Sequence, residues 1–482
     1  MTETVVWGTG RARAVLATTI LGSGMAMLDS TIVNVALPRI GAELGASVAG
    51  LQWILDGYLL ALASLILIAG SLGDRYGRRR VFTFGVLWFG AASLLCGVAP
   101  TTELLVVARV LQGVGGALLT PGSLAILQSV FVRADRGRAI GAWSGLSGVA
   151  TAIGPLLGGL LVQAWSWRLA FLINLPVAAA CVWLARRYVP ESRDDALTGR
   201  PNVGESVVGA VGLAGVTGAL VEAPVRGADA LVVTAGLIGV AGLVVFVVLQ
   251  RRGSDPLVPP QLFANRTFVL SNALTFLVYA ALGGVMVLMV LQLQVSLHYS
   301  PTASGLAGVP ITLIMLALSA RSGSLAQRFG PRAQLVGGPV LIGVGMLLLR
   351  RVEPGAGYWT DVLPGLLVFG FGLAAVVAPV TATVLAAAPD RYAGVASGVN
   401  NAVARTGSLL AVAVLPAVAG LTGAQYADPA ALTEGWRTAL LVCAVASIVG
   451  GLLALGTDNR VLKPAPECHS CGVDAPPARL PD

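Results

Sequence analysis

Three charged side chains sit inside otherwise apolar runs. They are Asp29 in "LDSTIVNVALP" (residues 28–38), Asp56 in "LQWILDGYLL" (51–60) and Arg109 in "RVLQGVGGALLTP" (109–121). A buried guanidinium keeps its proton at any usable pH, so it must find anions or water. A carboxyl in the same place is pulled two ways, because burial favours the neutral acid and a nearby guanidinium favours the carboxylate. A small change in hydration then moves a proton on or off, which is what a proton carrier needs. The structural alternatives are an Asp29 that caps a kink near Pro38, an Arg109 bonded to backbone carbonyls and an Asp56 at a lateral helix interface.

The elements that must position these groups are membrane helices. Of 482 residues, 56% are apolar and only 11% are charged, whereas a soluble chain carries roughly 25% charged residues. The apolar material comes in runs of about 18–25 residues, long enough for a helix to cross ~30 Å of hydrocarbon. Fourteen spans are expected, at 14–37, 49–71, 81–99, 102–128, 138–163, 169–187, 204–223, 230–250, 268–297, 303–320, 333–350, 361–387, 393–421 and 436–456. The 61 glycines suit close helix contact in lipid. The first span is read as an uncleaved helix, being too long for the apolar region of a secretory leader.

The net charge of +8 belongs to short loops beside the spans and not to a nucleic-acid surface. With the N-terminus inside, the inner loops hold "DRYGRRR", "RADRGR", "ARRYVPESR", "QRRGSD" and "AQRFGPR", and the outer loops hold few arginines. Both termini are therefore expected in the cytoplasm. Asp29 then lies ~12 Å below the outer boundary and Arg109 ~10 Å below it, at 1.5 Å per helical residue, with Asp56 at a similar depth. The chain also repeats itself: "GSLGDRYGRRR" at 70–80 follows the second span and "GSLAQRFGPR" at 323–332 follows the tenth. The expected organisation is a six-helix bundle at 1–200, two inserted helices at 201–252, a second six-helix bundle at 253–457 and a Pro-rich, disordered cytoplasmic tail at 458–482. Such internal repeats are typical of secondary transporters.

Four stretches resemble the major facilitator superfamily, specifically its fourteen-helix drug:proton antiporter branch. In "GSLGDRYGRRR", Gly70, Gly73, Asp74, Arg75, Gly77 and Arg78 fit the superfamily's loop motif, which the resemblance implies is a conformational latch between the halves. Asp74 could sit against a neighbouring helix N-terminus and pair with arginines. The second copy has Gln327 in place of the acid, so a weaker latch is expected there. "RVLQGVGGALLTP" resembles the fourth-span motif whose arginine, here Arg109, belongs to the proton-coupling machinery. "GLSGVATAIGPLLGG" (145–159) has the exporter spacing at Gly145, Gly154, Pro155, Gly158 and Gly159, a groove in which the fifth helix bends and packs tightly. "LDSTIVNVALP" matches the first-span motif of the fourteen-helix branch. The resemblance implies a major facilitator fold, alternating access, and a central cavity lined by the first and fourth helices with Asp29 and Arg109 facing it.

The resemblance and the buried charges together predict a proton-driven efflux transporter for hydrophobic drugs or related molecules. Export of an endogenous metabolite, antibiotic or lipid is the alternative. Asp29 is the expected proton carrier, tuned by Arg109 and assisted by Asp56. Asn34, Trp53, Trp143, Tyr279 and Arg405 are candidates for the substrate cavity. Glu222 and Asp361 are read as interfacial.

An ATP-driven pump needs a Gly-rich loop ending in Lys-Ser or Lys-Thr, and the single lysine, Lys463, is followed by proline. No enzyme constellation, cofactor or metal site is expected. Cys96, Cys181 and Cys443 fall in spans, and the tail's Cys468, His469 and Cys471 fall short of four suitably spaced ligands. The expected partners are a small-molecule substrate, protons and the bilayer of a bacterial cell membrane. No nucleic acid is expected, and the chain is expected to work as a monomer.

Overall fold

The computed structural model describes residues 5–132, 135–193, 203–253, 256–389, 392–421, 425 and 428–462. The Cys468, His469 and Cys471 tail lies outside them. The described chain is helical throughout, apart from one isolated bridge between Val5 and Phe131. The first half contains α1 (Gly10–Leu44), α2 (Val48–Tyr76), α3 (Arg78–Val98), α4 (Thr102–Val130), α5 (Arg136–Ala164), α6 (Arg168–Leu172) and α7 (Asn174–Tyr188). Next come α8 (Val203–Arg226) and α9 (Ala230–Arg252). The second half contains α10 (Arg266–Leu291), α11 (Pro301–Ala307), α12 (Val309–Phe329), α13 (Arg332–Leu349), α14 (Leu363–Ala386), α15 (Ala393–Val418) and α16 (Pro429–Leu453).

Hydrocarbon offers no partner to a free backbone amide, so the spans are continuous helices whose ends need caps. Thr9, Ser47, Thr101, Asp229 and Ser300 each accept a hydrogen bond from a first-turn N–H. Two expected spans each lose a helical hydrogen bond at a proline while the backbone stays near helical dihedrals. Pro176 cannot donate to the Leu172 carbonyl, beside Ile173 between α6 and α7. Pro310 likewise lies just past Gly308 between α11 and α12. Among the described residues, thirteen segments are long and apolar enough to cross a membrane. The fourteenth expected span, 138–163, coincides with the 29-residue α5.

The two largest apolar clusters each draw on one half of the chain, one built around Tyr58, Phe82 and Phe89, the other around Leu366, Phe369 and Trp436. The internal repeat extends to atomic detail. Gly77 and Gly330 both take positive φ, 112° and 91°. Two residues later Arg79 donates its N–H to Glu191, just beyond α7, and Arg332 donates its N–H to Asn459, beyond α16. Each half thus folds its last segment back onto the start of its third span.

α8 and α9 pack closely through glycines, Gly215 lying against Gly239. α8 rests on the seam between α2 and α15, where Ala49, Val221 and Ala413 form one small cluster and Ala63, Leu213 and Leu409 another. α9 turns Leu237, Ile238, Val244 and Val245 outward, as a lipid-facing helix should. At the other end of the pair Gln250 donates to Glu205 and accepts from Val258 N at 3.0 Å.

Candidate functional site

Five helices converge on Asp29. Its Oδ2 accepts from Arg109 Nη1 at 2.6 Å. Its Oδ1 accepts from Gln112 Nε2 at 2.8 Å and from Asn174 Nδ2 at 3.0 Å. Both amides also donate to Ser93 Oγ, at 2.7 and 3.2 Å. Arg109 donates through Nε to the Ile54 carbonyl at 3.0 Å, bonds Gln112 Oε1, and stacks 4.3 Å from the Tyr58 ring centroid. α1, α2, α3, α4 and α7 therefore all supply atoms.

This enclosure corrects the expectation that Asp29 and Arg109 face a central cavity. Asp29 is 0% exposed and the Arg109 side chain 1%. The reason is rotational. Two residues along a helix turn a side chain by roughly 200°, so Asp29 points away from the partly exposed Met27 and Thr31 on α1. That Asp29 and Arg109 share one layer was legible in the sequence, and the direction of their side chains was not. Asp29 thus accepts three N–H bonds, two at Oδ1 and one at Oδ2, of the roughly four a carboxylate can take.

Asp56 is the reverse case. It is 0% exposed, and neither carboxylate oxygen has a hydrogen-bond partner. Its neighbours on the same face of α2 define where it lies. Gln52 donates to the Val412 carbonyl of α15 at 3.2 Å, and Trp53 donates to Glu222 of α8 at 3.0 Å. Asp56 thus sits at the junction of α2, α8 and α15. Burying an ionised carboxylate without a donor costs far more than burying the neutral acid.

The cavity candidates separate. Trp53, half-buried on α2, donates its indole N–H to Glu222 of α8. Glu222 is held there by Trp53 and Arg226. Trp143 donates to Ser23 Oγ of α1 at 3.2 Å and packs against the core of the first half. Asn34 and Tyr279 are half-buried, and the Tyr279 carbonyl accepts from Ser408 Oγ at 3.0 Å. Arg405 is half-buried on α15. Asn400, one turn earlier, donates to Asn272 and Thr275 of α10 at 3.3 and 3.0 Å.

The glycine groove of α5 is a contact surface on two sides. A side chain at Gly154 would strike Thr31, and one at Gly158 would strike Ile32, both on α1 beside Asp29. A Cβ at Gly159 would meet the Pro301 carbonyl of α11 at 2.6 Å, and Gly305 of α11 lies against the Pro155 carbonyl. The groove therefore seats α1 and the second half together. Gly145 lies within α5, but its surroundings fall outside the described residues.

In the 70–80 loop, Asp74 pairs with Arg78 at 2.7 Å. At the N-terminus of α3, the Arg79 N–H donates to Glu191. Arg75 donates to Ser71 Oγ at 3.3 Å. Gly70 faces Pro121 of α4, while a Cβ at Gly73 would meet open space. Between described residues, two side-chain hydrogen bonds join the halves, Gln52 to Val412 and Gln294 to Val35. Both lie away from this basic end.

Gln112, Ser93, Asn174 and Glu191 are site residues that the sequence reading missed. Gln112 had a signal, since it stands three residues after Arg109 and so on the same helix face. Asn174 had a weaker one, as an amide two residues before a proline in an apolar run. Ser93 and Glu191 had none.

A buried charge cluster inside one helical bundle, a glycine seam to a second bundle and a repeated loop define a polytopic membrane carrier. The chain belongs to the major facilitator superfamily, whose model matches residues 19–412 and 273–467. It is 37% identical over 438 residues to the puromycin resistance protein pur8 of Streptomyces alboniger, covering 89% of this chain and 87% of that one. It is 35% identical over 405 residues to the multidrug resistance protein Stp of Mycobacterium tuberculosis, covering 84% and 75%. With the probable actinorhodin transporter of Streptomyces coelicolor it shares 36% identity over 420 residues, covering 84% and 72%. Among solved structures it is similar to a POT family transporter in complex with a thioalcohol-conjugated peptide, at a TM-score of 0.71 and 14% identity, covering 93% and 96%. That likeness concerns the fold alone. The family and the apolar helices make this a multi-pass protein of the cell membrane.

Proposed function

We propose that this chain exports hydrophobic drugs or related small molecules by proton antiport, with access alternating between bundles at 1–200 and 253–457. Export of an endogenous metabolite, antibiotic or lipid by the same fold is the second reading. It is favoured by relatives whose names carry puromycin resistance, actinorhodin transport and tetracenomycin C resistance and export.

The observation that carries proton coupling is the contrast between two buried acids. Asp29 accepts three bonds from Arg109, Gln112 and Asn174, whereas Asp56 has no donor among the described residues. In this reading Asp56 gains and loses the proton at a seam between the halves. The Asp29–Arg109 pair fixes the first bundle and senses its rearrangement. The driving force is adequate, at ~2.3 kcal/mol per charge per 100 mV plus the pH gradient. The 70–80 loop acts as the latch at the basic end, and the α5 groove as the sliding contact.

Reconstitution in liposomes with an imposed pH gradient tests this. A panel of dyes, antibiotics and lipids should include a cargo that accumulates only while the gradient stands. Movement of every transported compound at the same rate with the gradient collapsed would end the antiport reading.

A further inference from the structure

Arg405 stands at the middle of the 26-residue α15. It is half-buried, and no described residue holds it by a hydrogen bond or an ion pair. Its surroundings are fixed on both sides. Toward α10, Gly407 packs on the Phe276 carbonyl and Ser408 bonds the Tyr279 carbonyl. Toward α2 and α8, Leu409 packs with Ala63 and Leu213. Packed on α10 through Gly407 and Ser408 and on α2 through Leu409, this stretch of α15 lies where the two halves face each other.

A guanidinium at this depth needs an anion or water. The carboxylates nearest in depth do not serve it, because Asp29 is bonded to Arg109 and Asp56 has no bonded partner. We propose that Arg405 receives an acidic group of the cargo, so that the site takes an apolar aromatic molecule bearing a carboxylate. The fork geometry of arginine suits a carboxylate through two parallel N–H bonds, and the half-buried Tyr279 offers an aromatic wall for the rest of the molecule. The inference rests on the efflux reading above and names the class of cargo.

Binding to the full chain in phosphatidylcholine nanodiscs tests it, with pyrenebutyric acid, its methyl ester and pyrenebutylamine as matched probes. The wild type should bind the acid about tenfold or more tighter than the ester, as expected of a charge-assisted hydrogen bond in a partly buried site. Arg405→Gln should bring the acid to the level of the ester and leave the ester unchanged, and Arg405→Lys should restore part of the preference. Equal affinity for acid and ester in the wild type, or equal weakening of all three probes by Arg405→Gln, would overturn the proposal. Nanodiscs of phosphatidylglycerol should leave the preference in place; its loss there would make a lipid headgroup the occupant and overturn the cargo assignment. Acid-selective binding without gradient-driven transport would sink the efflux reading and keep the anion site.

Discussion

Arg109 Nη1 lies 2.6 Å from Asp29 Oδ2, with both side chains essentially without solvent contact. Breaking one half of such a pair leaves an uncompensated buried charge. Asp29→Asn should therefore destabilise the protein by about 3–5 kcal/mol, seen as a lower unfolding temperature in detergent. The double variant Asp29→Asn with Arg109→Gln should recover part of the loss, because no charge is then stranded. A single variant as stable as wild type would show that the pair opens to water.

Asn174 donates to the same carboxylate from the start of α7. Asn174→Leu removes one donor and should cost about 1–3 kcal/mol. The same unfolding assay measures it, and the loss should be smaller when Asp29 is already replaced by Asn, the remainder reflecting the bond from Asn174 to Ser93. Additive losses would mean that the two residues do not share a network.

Gly158 lets α5 lie directly on Ile32 of α1, and Gly159 lets it lie on the Pro301 carbonyl of α11. Gly159→Val should abolish transport while leaving helical content by circular dichroism unchanged, since it wedges the halves apart without opening either core. Normal transport by Gly159→Val would remove the groove from the transport cycle.

Trp53 bonds Glu222 of α8 at 3.0 Å. Trp53→Phe should shift the apparent affinity for any transported dye by less than about twofold, with a modest loss of stability for one hydrogen bond. A change of tenfold or more in dye affinity would place Trp53 at the cavity.

Much of the architecture could be read from the chain alone because hydrocarbon thickness fixes helix length and the basic loops mark the span ends. The repeated loop was visible as Gly, Leu, Arg, an aromatic and Gly at matching offsets, and it reappears as the paired Gly77 and Gly330 turns. That Asp29 and Arg109 share one layer followed from 1.5 Å per residue. The direction in which each side chain points did not, because it depends on which neighbouring helix occupies each side. Hence Asp29 was expected at a cavity and is found in a seam. The lost helical hydrogen bonds near Ile173 and Gly308 are invisible in apolar length, which they leave unchanged.

Coupling is tested most directly by following dye accumulation and dye exchange by Asp56→Asn in proteoliposomes. Removing the titrating carboxyl should abolish accumulation driven by a pH gradient while exchange between preloaded and external dye continues. Accumulation at the wild-type level by Asp56→Asn would contradict the assignment of the proton to the seam between α2, α8 and α15.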